Sequence, residues 1–548
     1  MIAKDKKGLA ALAAGGLVVA ALAGANAAGA SDHMSLTGVT EANQKAPGLA
    51  SPNRLSPELA QVVRAQGSYK VENPLDGVGY YGYDSIDNNP PLLPVLAGAG
   101  ASLAEAHKTE PDKNTYLVLH GQQGPDAAYN YGTHFLFQGH ETGTPGYITR
   151  INLDAGSEHR VTILSTRDSA GNALPNFDGS TWNPYAHKLL MTAEAGCAGG
   201  VWAGDVAYSS GAAFNEIPAL GKGGYEGIQT ASDGSIYIVE DVGGPTVTGT
   251  NGKLANSYLY RFIPTHRGDL STGTLQALQV LRASGEPMDT AADLFSQDIK
   301  DLHVYGNSFA TRWVTVHQTT AANIAETFCA TTAAKTAHAT PFKRPENGVF
   351  RPGTGFGEFF FTETGDTNAT STADSDAGGW GGIFRLRQDG PSAATGRLSL
   401  FALGDQAHTS FDNISFASAN DLLVVEDAGD TLHSQRNALD SGYLYDARNA
   451  NAAGKTPVRF LAEGRDPSAT IDSSLFDAQV TGFVNEGDNE ITGIHVSDGD
   501  PTAAGLLGAK LPTPFSKGWR VFWTAQHGDN ATFEIIPNPS FGSFSHGG

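Results

Sequence analysis

Carboxylates close one strand-like run after another in this sequence. Thr192-Ala193-Glu194, Val239-Glu240-Asp241, Phe361-Thr362-Glu363-Thr364 and Val425-Glu426-Asp427 each end an apolar stretch, as does Phe137-Gln138-Gly139-His140-Glu141. Other acids precede such stretches: Glu226 in Gly224-Tyr225-Glu226-Gly227, Glu346 in Arg344-Pro345-Glu346-Asn347, Asp412 in Phe411-Asp412-Asn413, and Glu490 in Asn489-Glu490-Ile491-Thr492. The final run, Val521-Phe522-Trp523-Thr524-Ala525, ends in a Gln526-His527-Gly528 corner. Singly, an acidic residue at a strand end is an ordinary turn residue. As a set, these residues suggest strands delivering oxygen ligands to one centre. Negative charge so gathered would cost several kcal/mol per unpaired buried group, and hard cations such as Ca²⁺, with six to eight oxygen ligands, are the usual remedy.

Positioning such a set requires many short strands with a common polar end. Tyr116–His120, Phe135–Phe137, Leu189–Thr192, Ile236–Val239, Trp313–His317, Phe359–Phe361, Leu422–Val425 and Val521–Trp523 read as main strands. Tyr258–Phe262, Gly382–Leu386 and Gly442–Tyr445 read as their partners. The spacing is often near that of a four-stranded propeller blade, about 40–50 residues, with longer gaps as inserted loops. A double sandwich would also give many short strands, but the shared polar ends favour an all-β propeller. That domain is expected over 78–548. Residues 31–77, polar and rich in Pro and Ala, are expected as an N-terminal arm or a partly disordered segment, with one helix over Ser56–Arg64.

The chain has 548 residues, with 57 acidic and 35 basic side chains and a formal charge of -22. That balance excludes nucleic-acid binding through clustered Lys and Arg. It also means that an anionic substrate would need metal ions to reverse the local field. Lys4, Lys6 and Lys7 followed by an apolar Ala/Leu-rich stretch predict an export signal over residues 1–30, of Sec type because no twin-arginine pair is present. The mature protein is thus expected in the periplasm or outside the cell. No later stretch is long and apolar enough to span a membrane. The two cysteines, Cys197 and Cys329, read as a disulfide or buried thiols, ahead of a metal-ligand role for Cys197. Gly-x-Ser-x-Gly is absent, so a serine-hydrolase reading has little support.

From about residue 133 to 530 the motifs resemble, in order, those of the PhoX family of secreted bacterial alkaline phosphatases. The elements that carry it are His140-Glu141 with Pro145–Arg150, the strand ending in Glu194, Gly224-Tyr225-Glu226 with Ser235–Asp241, Arg344-Pro345-Glu346, Asp412-Asn413 with Glu426-Asp427, and Glu490–Gly493 with Gln526-His527-Gly528. The resemblance implies a six-bladed propeller whose channel holds iron and calcium ions and hydrolyses phosphate monoesters, so the partner is a small phosphorylated substrate. Carried over, it makes Glu194, Glu226, Glu346 and Glu490 the main metal ligands, with Glu240, Asp241, Asp412, Glu426 and Asp427 behind them. Arg385 and His527 are candidate phosphate contacts. The chain departs from the family where its iron-binding cysteine is expected; that region, Asp178–His187, has none. Glu194-Ala195 replaces a glutamate pair, and Tyr225 replaces a histidine. Calcium, which needs only oxygens, is therefore expected ahead of iron. The alternative is a non-catalytic, calcium-stabilised propeller that binds a protein partner.

Overall fold

The computed structural model describes residues 34–45, 52–82, 109–208, 213–289, 296–367, 374–449, 456–464, 489–527 and 530–541, apart from isolated positions within these spans. The expected export signal lies outside them.

The described chain is mostly antiparallel β-sheet in a propeller-like arrangement, built from consecutive meanders. The first runs Pro111–Val118, His134–His140, Ile148–Asn152 and Val161–Ser165, and the second runs Ser180–Asn183, Lys188–Ala193, Gly200–Gly204 and Asn215–Glu216. A nine-stranded sheet holds two more. These are Tyr225–Thr230 to Gly273–Leu281 and Gly348–Phe350 to Thr395–Leu403, joined at their outer edges by the long strand Phe309–Thr319. The next meander runs from Phe411–Phe416 to Val458–Ala462. The last has Glu490–Ser497, Arg520–Gln526 and Ala531–Pro537.

The N-terminal region completes the last two sheets. Arg54–Leu55 pairs with Val458–Ala462, and Leu59–Ala65 pairs with Ala531–Pro537. The helix expected over Ser56–Arg64 is therefore a strand. Its local propensity is overridden because an exposed sheet edge offers a full ladder of hydrogen bonds.

The first strand of each meander lies against the first strand of the next, and the strand beginning at Glu490 lies against that beginning at Pro111. The inner strands thus close a ring. The apolar core is divided among the junctions between neighbouring sheets. Leu190 packs with Ile228 and Ile238, Val349 and Phe360 with Ile414 and Val424, and Leu423 and Val425 with Ile491 and Trp523. Strand alternation sends apolar side chains into these junctions from both faces.

Cys197 and Cys329 form a disulfide with a Cα–Cα distance of 5.2 Å. It ties the turn after Lys188–Ala193 to the helix Ala330–Thr336, which follows the long strand Phe309–Thr319. Cys197 is therefore not free to ligate a metal.

Candidate metal centre

Two sets of positions converge at one end of the inner ring. The first lies at the start of each inner strand: Asp112, Asp178, Glu226, Glu346, Asp412 and Glu490. The second lies one residue beyond the end of each second strand: Glu141, Glu194, Asp241, Thr364, Asp427 and His527. Backbone irregularity marks four of the six starts in the first set. The pairing register shifts between Pro111 and Asn114, Tyr225 and Ile228, Phe411 and Ile414, and Ile491 and Gly493. A bulge turns a side chain that strict alternation would bury in a sheet junction.

Hydrogen bonds between sheets hold these strand starts in place. Thr192 Oγ1 donates to the carbonyl oxygen of Glu226 at 2.5 Å, and Thr362 Oγ1 to that of Asp412 at 2.6 Å. Gln138 Nε2 donates to the carbonyl oxygen of Asp112 within the first sheet. Close packing adds to this. A Cβ at Gly179 would lie 2.3 Å from the carbonyl oxygen of Glu226, and one at Gly227 would lie 2.7 Å from Asn347 Cα.

All of these acids except Asp178 and Asp241 line a cavity of about 410 Å³. Oxygens of Asp112, Glu141 and Asp178 come within 4.8 Å of one another. The same holds for Asp178, Glu194 and Glu226, and for Glu226, Glu346 and Asp412. Asp178 and Glu226 each belong to two trios, so the three form one continuous line with bridging carboxylates. One oxygen of Asp178 is buried with no hydrogen-bond partner. Burial, and then the mutual repulsion of the carboxylates, pushes Asp112, Asp178, Glu226, Asp412 and Asp427 well above the usual carboxylate range. Glu194 is exposed on the open side of the cavity, yet the protein packed around its carboxyl, and then Asp241, push it up to about 8 against the pull of Arg344.

Two cations face the acids. The Arg344 guanidinium donates through Nε to Asp241 at 2.8 Å, approaches Asp241 Oδ2 at 2.6 Å through a terminal nitrogen, and reaches Glu346 Oε1 at 3.5 Å. Although burial works against its charge, Asp241 and Glu346 hold it firmly protonated. Arg344 has φ +52°, an unusual conformation for a residue before proline, and it still lines the cavity. The second cation, Lys113, is buried at the inner end of the acidic set, and its Nζ donates to Asn347 Oδ1 at 2.5 Å. Burial pulls it down to about 8, against Asp112, Asp412 and Glu226, so the side chain stays an ammonium at neutral pH.

Of the residues singled out from sequence, Glu194, Glu226, Glu346, Asp412, Asp427 and Glu490 line the cavity, and Asp241 reaches it through Arg344. Glu240 and Glu426 do not line it. Each is the last residue of its second strand, so alternation points it into a sheet rather than the channel. Glu240 accepts hydrogen bonds from Tyr260 and Thr331, and Glu426 accepts from the Thr409 N–H and from Arg436. Arg385 lies on the third strand of its sheet, opposite Phe360 and Ser399, and is absent from the cavity wall. The ring nitrogens of His527 face Glu490 Oε2 at 3.0 Å and Glu110 Oε1 at 3.4 Å.

Asp112, Glu141, Asp178 and Arg344 were not among the expected ligands or phosphate contacts. A short signal marks most of the first set. An aromatic residue or proline, an acid and then a small or amide residue recur in Phe177-Asp178-Gly179, Tyr225-Glu226-Gly227, Pro345-Glu346-Asn347 and Phe411-Asp412-Asn413.

Comparison with known proteins agrees with this fold. The family described as Alkaline phosphatase PhoX matches over residues 227–502, half of the chain. The chain belongs to the PhoX family. A solved structure of Pseudomonas fluorescens PhoX in complex with vanadate, a transition state analogue, is similar over 91% of this chain and 98% of that chain. Its TM-score is 0.51 at 12% identity, so this likeness speaks to the fold. No curated protein matches. Among the described residues of this PhoX-family chain, no helix is long and apolar enough to cross a membrane.

Proposed function

We propose that this chain is an exported, metal-dependent phosphatase that hydrolyses phosphate monoesters at a calcium-containing cluster in the channel of a six-bladed propeller. The observation that carries the reading is the line of three carboxylate trios sharing Asp178 and Glu226. Bridging carboxylates are the arrangement that lets several cations share one cavity, and an all-oxygen donor set suits calcium. Both cysteines are joined in a disulfide, so thiolate ligation of iron has no residue to perform it here. Support for six blades comes from splitting the nine-stranded sheet at Phe309–Thr319, which leaves six meanders among the described residues.

Asp112, Glu141, Asp178, Glu194, Glu226, Glu346 and Asp412 would hold the cations, with Asp427 and Glu490 on the remaining wall. Bound there, the cations supply charge neutralisation for the phosphoryl oxygens and activation of the attacking oxygen. Arg344 is the chain's own phosphate contact. Its guanidinium lines the cavity and is pre-aligned by Asp241, and its planar fork suits phosphate oxygens. Asp241 and Glu346 keep it oriented before substrate arrives, and His527 fixes Glu490. Lys113 is buried behind the acids, so substrate would enter and product leave on the side lined by Gly429 and Thr431. The leader over residues 1–30 supports export.

The test is metal analysis by mass spectrometry on protein purified without chelator, together with p-nitrophenyl phosphate turnover with and without added calcium. Calcium above one equivalent per chain, with turnover that chelation abolishes and calcium restores, is the expected result. Calcium without turnover would favour the non-catalytic propeller. Protein carrying no tightly bound metal would sink the cluster itself.

A further inference from the structure

Three inner strands are entered through the same backbone corner. Glu110, Arg344 and Ser410 have φ +42°, +52° and +48°. Each stands two residues before an acid of the first set, Asp112, Glu346 or Asp412. The carbonyl oxygen of each accepts the N–H of a second-set residue, from Glu141, Thr364 and Asp427 in turn, at 2.9 Å. A left-handed backbone is disfavoured for any residue with a Cβ, and more so before proline, as at Arg344. Such a corner persists only where its surroundings over-determine it.

At Arg344 the residue before the corner is gripped at every polar group. Glu363, the last residue of its strand, accepts the Lys343 N–H on Oε1 at 2.8 Å, and its Oε2 lies 2.8 Å from His303 Nε2. The Lys343 carbonyl oxygen accepts the Gly365 N–H at 3.2 Å. The buried Lys343 ammonium donates to Asp366 Oδ1 at 3.2 Å and to Asp374, outside the cavity wall. The corner at Ser410 is held in part the same way, because Glu426 Oε1 accepts the Thr409 N–H at 2.9 Å. Glu363 and Glu426 thus share a task. Each closes a second strand and grips the residue that precedes a corner. What differs is the side chain the corner carries, and at Arg344 it is the guanidinium that lines the cavity. A strained corner held this firmly suits a side chain whose direction matters.

We propose that Glu363 and Lys343 are positioning residues for Arg344: together they fix the residue before the corner and so hold the guanidinium in the cavity. Neither touches substrate. The inference rests on the reading of Arg344 as the phosphate contact.

Three substitutions test the grip, each made in the parent and in R344A. Glu363→Ala removes the acceptor, Glu363→Gln keeps an oxygen for the Lys343 N–H, and Lys343→Met removes the ammonium while keeping most of the volume. The readouts are steady-state kinetics with p-nitrophenyl phosphate at saturating calcium and inhibition by inorganic phosphate. In the parent, E363A and K343M should lower kcat/KM about ten- to a hundredfold, the scale of a misplaced group, and weaken phosphate inhibition. In R344A the same changes should cost less than about twofold, and E363Q should stay near the parent. Equal losses in the two backgrounds would assign both residues to general stability and overturn the proposal. So would failure of both E363A and K343M to fold. A second measurement needs no turnover. R344G should melt above R344A, because glycine takes the left-handed corner without a steric penalty, and E363A and K343M should each close that gap by letting the corner relax. Equal melting temperatures for R344G and R344A, or a gap undiminished by E363A and K343M, would overturn the grip. A parent without phosphatase activity would remove the reading of Arg344 instead, and the melting temperatures would still decide the corner.

Discussion

At the scale of single residues, the centre is decided by which oxygens are shared. Asp178 and Glu226 each bridge two trios, whereas Glu194 belongs to one. D178N should therefore lower the bound-metal count by more than E194Q does, a difference that mass spectrometry of the purified variants reads directly. Arg344 is the cation placed to meet phosphate, and Asp241 already holds the pose it would need. R344A should reduce kcat/KM for a phosphate monoester by about 10²–10³, the range typical for removing one preorganised donor to developing charge. R344K should recover little, because an ammonium cannot reproduce the fork. Steady-state kinetics at saturating calcium provides the check. Glu240 and Glu426 act differently from their neighbours Asp241 and Asp427 because each adjacent pair straddles a strand end. Consecutive side chains there take opposite faces.

At the scale of elements, the inner strands work because their starts are irregular and tightly stitched. The hydroxyls of Thr192 and Thr362 reach from a second strand to the inner strand of the next meander and hold the carbonyl of an acid-bearing residue. T362V should cost about 1 kcal/mol in unfolding free energy, the usual net worth of one such bond. Denaturant titration of calcium-loaded protein tests this, and a change below a few tenths would mean that the bond is dispensable. Sequence periodicity revealed the strands but not which of them are inner. A run such as Ile236–Glu240 looks the same in either place, and only the packing of each meander's first strand against the next meander's first strand distinguishes the two. The strand Leu59–Ala65 was harder still. Its partner, Ala531–Pro537, lies more than 460 residues away in sequence, and nothing local to Ser56–Arg64 records it.

At the scale of the whole molecule, the ring is a compromise between charge and closure. Folding gathers carboxylates that the unfolded chain keeps apart, and their protonation responds to pH. Glu194 is raised on folding from 4.5 to about 8. A group raised in this way contributes its stability below the unfolded value and loses it as pH climbs through the folded value. Buried His140 and His495 are lowered from 6.5 to about 3, so their contribution is lost only as pH falls below 6.5. Between pH 6.5 and 8 the raised carboxylates set the downward slope, and Lys113, lowered to about 8, opposes them only towards the top of the window. Chelated protein should therefore melt at progressively lower temperature over that window, and saturating calcium should flatten or reverse the trend. Calorimetry at several pH values, with and without calcium, decides it. A chelated protein whose melting temperature is level or rises with pH over this window would show that the acids are already neutralised within the fold.

The sequence by itself determined that the chain is an all-β protein with acids at its strand ends, and the order of its motifs pointed to the PhoX family. Those features are local, because alternation, turn chemistry and short motifs are written in adjacent residues. Tertiary structure alone decided which acids share a cavity, that Cys197 joins Cys329, that Arg344 faces the centre while Arg385 does not, and that Lys113 stands beneath it. Each of these depends on closing a ring of strands. Closure brings residues hundreds of positions apart within a hydrogen bond's length, and a one-residue step along a strand then decides between the channel and the core.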